Sequence, residues 1–314
     1  MFEKYPLFPQ ELSFKRKSWP WITPLLALLI IGFGQAIAFV PVIETGLIPK
    51  ERLESYPEIL YMLFAGFGAM VLLLTLWVKL FEGRSMAGMG LSLKGKPVGE
   101  VLKGLFFGVF MSGSIVGLVY ILGGYELEID SRIGFEGIVI VTLLLSGFMI
   151  QSSTEELIFR GWLFGRLSEQ YGLVIGIAVN AALFILLHLP GVDFASITAF
   201  DTGIYFIGMF LFSLYPSLMV MNDGSVWRAG AWHAGWNWFF ITGFGLATTG
   251  IDLGTVPIVA DLQAVEGQPR WLTGGEYGPE ASAMMMLVLA TASAFEWRKY
   301  KDKRSVLAAV EEGA

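Results

Sequence analysis

Two adjacent carboxylates, Glu155 and Glu156, and one arginine, Arg160, interrupt an apolar run from Gly137 to Phe164. Ionised groups cost about 2.5–3.5 kcal/mol each at mid-helix depth in a bilayer. They need partners there, and the chain holds only two histidines, His188 and His233, both in apolar stretches. On a helix Glu156 and Arg160 share a face, so an ion pair lowers the cost of burying both. Glu155 is rotated from Glu156 by about 100°, so one carboxylate can be structural while the other reacts. The simpler use of all three is a charged helix end at the membrane surface. Asn180, Phe184 and His188 recur every four residues and put one polar stripe on another helix. His188, shortly before Pro190, would serve equally as an interfacial cap. His233 and Asn237 share a face of a third helix, where bonding a neighbouring helix is the plainer role.

The elements must bring these three pieces together. If the helices carrying Glu155 and His188 form a hairpin turning near Tyr171-Gly172, both residues lie about 16 residues from the turn, roughly 24 Å at 1.5 Å per residue. Carboxylate and imidazole then stand at one level. A helix starting at about Trp227 carries His233 roughly 9 Å inward.

Of the 314 residues, 55% are hydrophobic and 15% charged, against about 25% charged in a soluble domain. Apolar runs near 20 residues mark an integral membrane protein. Spans are expected at 19–43, 58–81, 101–123, 137–164, 172–190, 198–221, 227–247 and 281–297. The fold class is therefore all-α: about eight transmembrane helices bundled around a buried polar cavity. The organisation is a cytoplasmic tail 1–18, helices one to three in 19–130, a core of helices four to seven in 131–247, an irregular outer loop 248–280, and a last helix with cytoplasmic tail in 281–314. Residues 1–18 lack the pattern of a cleavable signal peptide. With the N-terminus inside, seventeen of the 21 lysines and arginines, Lys94 among them, fall on inner segments; only Lys50, Arg52, Arg132 and Arg270 fall outside. The outer loops are acidic, with Glu126, Glu128 and Asp130. This asymmetry places a multi-pass protein in the cell (inner) membrane with both termini cytoplasmic. Cysteine is absent, which excludes disulfides, thiolate catalysis and Cys-bound metal. Glycines four apart at 104/108, 113/117, 161/165 and 172/176 are expected to let helix backbones approach.

Glu155-Glu156-x3-Arg160, then Phe184-x3-His188, then His233-x3-Asn237, in this order, resembles the motif set of the CPBP (CAAX protease and bacteriocin-processing, Abi) family, which includes the Rce1-type CAAX prenyl endopeptidases. The resemblance covers roughly 131–247, and Gly90-Leu-Ser-Leu93 resembles an element common upstream in that family. It implies an intramembrane endopeptidase. Glu155 would be the base and His188 would help bind and activate water. His233 and Asn237 would supply oxyanion donors. Glu156 and Arg160 would support Glu155, with Phe184 and Asn180 in supporting places. It implies a metal-free, glutamate-activated site without cofactor; the rival is a zinc hydrolase using Glu155, His188 and His233, since two histidines and a glutamate leave a fourth position open. The implied partners are the bilayer and a membrane-associated or lipidated substrate reaching the site from the cytoplasm or through the lipid, either a CAAX-type prenyl protein or a bacteriocin or membrane-protein precursor. No nucleic acid is implied. Two other classes stay open. A transporter with a polar midplane site would show an inverted repeat, and none is visible. A non-catalytic scaffold or immunity protein would bind a partner whether or not Glu155 is intact.

Overall fold

The computed structural model describes residues 4–8, 15–93, 95–128 and 135–312. Lys94, Asp130 and Arg132, which enter the charge pattern above, lie outside the described residues, as does the start of the expected core at 131. The helices are α1 (Thr23–Glu44), α2 (Glu58–Glu82), α3 (Pro97–Ile121), α4 (Phe135–Glu156), α5 (Phe164–His188), α6 (Ala199–Asp223), α7 (Trp227–Phe244) and α8 (Ala283–Glu312). Among the described residues, five stretches are long and apolar enough to cross a bilayer. The longest, Gly137–His188, is two segments folded back at Gly172. The remaining two helices of the expected eight miss that standard for a reason. Arg228, His233 and Asn237 turn inward on α7, and α8 carries Glu296, Arg298 and Lys299 at its middle.

Helices are the spanning form because hydrocarbon offers no partner to a free backbone N–H or C=O. Their apolar residues point both ways. On α1, Ala27, Ile30, Ile31 and Ala38 are buried, while Leu25, Leu29, Phe33, Ile37 and Val40 are exposed, as they would be to lipid. Helix α7 differs: Arg228 to Asn237 are all buried, and it packs most extensively on α3 and α4. It is the central post. Gly104 and Gly108 permit its contact with α3, since a Cβ on either would lie 2.4 Å and 2.3 Å from the carbonyl oxygens of Arg228 and Trp232. Gly113 and Gly117 do not have this role; a Cβ at Gly117 meets nothing within 4 Å. Gly108→Val is therefore expected to push α7 off α3, costing stability and all activity, whereas Gly117→Val leaves thermal melting and activity close to wild type.

Two features set the height of the motifs. Gly172, at φ 82° and ψ 170°, reverses the chain where a side chain would be strained. It is a turn, so its expected part in helix packing is corrected. Between α4 and α5, Leu157–Leu163 forms a wide turn of π-helix, with the Phe164 N–H donating to the Phe159 carbonyl. Such turns often sit at functional sites. At the opposite end from both termini, loop 248–280 is anchored by a two-stranded antiparallel pair, β1 (Tyr125–Leu127) with β2 (Leu262–Ala264). The Gly90–Leu93 element docks at the start of α7: the Val226 N–H donates to the Gly90 carbonyl and Trp227 Nε1 to that of Ser92.

Candidate active site

The end of α4 supplies Gln151, Glu155 and Glu156, the end of α5 supplies Phe184 and His188, and the middle of α7 supplies His233 and Asn237. Glu155, Phe184, His188, His233 and Asn237 line one cavity of about 450 Å³. Glu155 Oε1 accepts from Gln151 Nε2 at 2.8 Å, while its Oε2 has no hydrogen-bond partner among the described residues and lies 3.9 Å from His233 Nε2.

Both imidazoles are held by Nδ1, which fixes what Nε2 can do. His188 Nδ1 is 2.7 Å from the Phe184 carbonyl oxygen. A carbonyl only accepts, so Nδ1 carries the proton and the neutral ring presents an Nε2 lone pair to the cavity. His233 Nδ1 is 2.9 Å from Glu156 Oε1. There too the carboxylate accepts, and Nε2 donates only when the ring carries both protons. Asn237 Nδ2 gives one N–H to Gln151 Oε1 at 3.1 Å and keeps a second.

Glu156 and Arg160 pair at 3.0 Å, both fully buried. Their expected role beside Glu155 is corrected: the direct partner of Glu155 is Gln151, and Glu156 stands behind His233. Arg160 also donates from Nη2 to the Ser213 carbonyl, and its guanidinium lies 4.7 Å over the Phe184 ring. Phe184 in turn packs on His188 with ring centroids 4.4 Å apart. Phe184 thus braces His188 on one side and covers the buried cation on the other. Asn180 is fully buried one turn back on α5 and does not line the cavity.

Sequence reasoning passed over Gln151. It bonds Glu155 through Nε2, and its Oε1 accepts from both Ser152 Oγ and Asn237 Nδ2, so one amide links base and donor. The signal was present: Gln151 is the polar residue one turn before Glu155 in an apolar stretch. Gln151→Leu removes both links, and we expect kcat to fall about 10–100-fold with KM little changed, the range seen when outer-shell partners are lost. Glutamate at 151, which still accepts from Asn237 but repels Glu155, should be the worse substitute.

The loop residues of the site carried no such signal. Glu54, Thr248, Thr249, Tyr277 and Glu280 all line the cavity and come from the end opposite both termini. Glu280 accepts from Trp236 Nε1 and from the Thr249 N–H, each at 2.7 Å, and so ties the loop to α7. Burial, helped by Tyr205, Glu280 and Glu155, pushes the Tyr277 phenol above its ordinary value, which keeps it protonated. With these walls the cavity extends to the loop side. Among the described residues, no three His, Asp or Glu groups stand close enough to hold a metal ion.

Residues 137–239 match the family model described as "Type II CAAX prenyl endopeptidase Rce1-like". The chain carries a CPBP/Rce1-type domain. The Rce1-like stretch contains both glutamates, Arg160, Phe184, both histidines and Asn237. Proteins of that family are CAAX-type membrane endopeptidases, so the match supports protease activity at the level of the family. Comparison with curated proteins and with solved structures gave no match.

Proposed function

We propose that the chain hydrolyses a peptide bond in a membrane-associated protein, using water activated by Glu155. The observation that carries this reading is the open Oε2 of Glu155, 3.9 Å from His233 Nε2 in a cavity shared with His188 and Asn237. Water sits between Glu155 and the Nε2 lone pair of His188. Glu155 takes its proton as the water oxygen bonds to the scissile carbonyl carbon and the carbonyl π pair moves onto oxygen. The spare N–H of Asn237 and the Nε2–H of a doubly protonated His233 hold the oxyanion. Glu156 balances the charge of that imidazolium, as the buried acid does in other triads. The tetrahedral species then collapses, the C–N bond breaks, and the amine leaves with the proton that Glu155 took. One water is consumed, and a new carboxyl and a new amine terminus are formed.

The protein is multi-pass in the cell membrane, with the cation-rich helix ends and both termini in the cytoplasm. The substrate is a membrane-associated segment, a prenylated tail or a precursor peptide. The test is cleavage of a membrane-peptide library by purified protein. His188→Ala should slow every cleaved member about 100-fold, and a mild chelator should change nothing. Equal cleavage by both proteins would reject the water site. Activity lost to chelation and restored by zinc would give the reaction to a metal.

A further inference from the structure

A second and larger cavity, about 810 Å³, shares no lining residue with the first. It is a lengthwise cleft between α3 and α8, backed by Tyr215 of α6 and Arg228 of α7. Its chemistry is graded along the axis. On α3, Glu100 and Lys103 come first, then Phe107 and Phe110; on antiparallel α8, Leu287 and Val288 come first, then Phe295, Glu296 and Lys299. Both helices therefore put their charges at the same end, that of the termini. From Glu100 to Ser114 the cleft is about 21 Å long at 1.5 Å per residue. Phe110 is 58% and Phe295 70% exposed, beside an apolar wall that only hydrocarbon covers favourably in a bilayer.

The charged end is built. Arg228 bonds Asp223 at 2.5 Å and Glu296 at 2.6 Å, yet its Nη2 is buried without a hydrogen-bond partner among the described residues. Lys299 stands 3.8 Å from Asp223 and 4.0 Å from Glu296, and Lys103 forms no ion pair among the described residues. Glu100 accepts from Ser225 Oγ on one oxygen and has a second to offer. Three cations face three carboxylates, so the end is neutral as a whole but polarised within.

We propose that this cleft binds a zwitterionic, amine-bearing glycerophospholipid. One acyl chain lies along Phe107, Phe110 and Phe295. The phosphate takes Lys103, Lys299 and the spare Nη2 of Arg228, and the ammonium takes Glu100. An anionic headgroup uses the cations equally but leaves Glu100 and its neighbours repelling it, so charge balance favours the zwitterion. The site does not depend on the peptidase reading.

Native mass spectrometry of the full chain, extracted from vesicles of equal phosphatidylethanolamine and phosphatidylglycerol, tests it. The expected result is one phosphatidylethanolamine retained per chain. Lys103→Gln and Lys299→Gln, both exposed and so harmless to folding, should each reduce retention roughly fivefold. A phosphatidylethanolamine with a photoreactive acyl chain should crosslink to α3 and α8. The proposal fails if the variants retain lipid like wild type, if phosphatidylglycerol is preferred, or if crosslinks fall equally on α1 and α2.

Discussion

Glu155→Gln is expected to lower kcat/KM by about 10²–10⁴-fold while the protein stays folded. The amide has nearly the shape of the carboxylate. Its oxygen still accepts from Gln151 Nε2, and the oxygen replaced by NH₂ has no partner to lose. What disappears is the lone pair that takes the proton of water. Thermal melting in detergent should stay within a degree or two of wild type, and initial cleavage rates should drop to the level left by Asn237 and His233 alone. Near-normal cleavage by this variant would overturn the role of Glu155 whatever the substrate proves to be.

The same substitution one residue on should behave in the opposite way. Glu156 is fully buried, accepts from His233 Nδ1, and pairs with the equally buried Arg160. Glu156→Gln leaves a guanidinium uncompensated, and breaking a buried pair from one side costs about 3–5 kcal/mol. The melting temperature should fall steeply, and Arg160→Met alone should cause a similar loss. Combining Glu156→Gln with Arg160→Met removes both charges, and stability should largely return. Activity should not return with it, because His233 keeps no anion to balance an imidazolium. A double variant that recovers both would reduce the pair to a packing element.

How far these roles were legible depends on the kind of spacing involved. The Glu156–Arg160 pair follows from one helical turn, and the reversal at Gly172 follows from a glycine between two apolar runs. With the reversal in place, Glu155 and His188 line the same cavity. The π turn after Glu156 was not legible, because one extra residue per turn leaves no mark in an apolar pattern. The partner of Glu156 was also hidden: the choice between Glu155 and His233 depends on how α7 rotates against α4, which no local periodicity records. Glu280 and Tyr277 come from an irregular segment whose path is set by the β1–β2 pairing and by Trp236, 44 residues away in sequence from Glu280.

The clamp that Glu280 makes between Trp236 and Thr249 bears on sidedness. If the arginine-rich helix ends face the cytosol, the walls above Glu155 belong to the far compartment. A scissile bond offered from that leaflet would meet those walls first, and a fragment freed from its anchor could depart on that side. Topology would then screen the substrates on that route before side chains do.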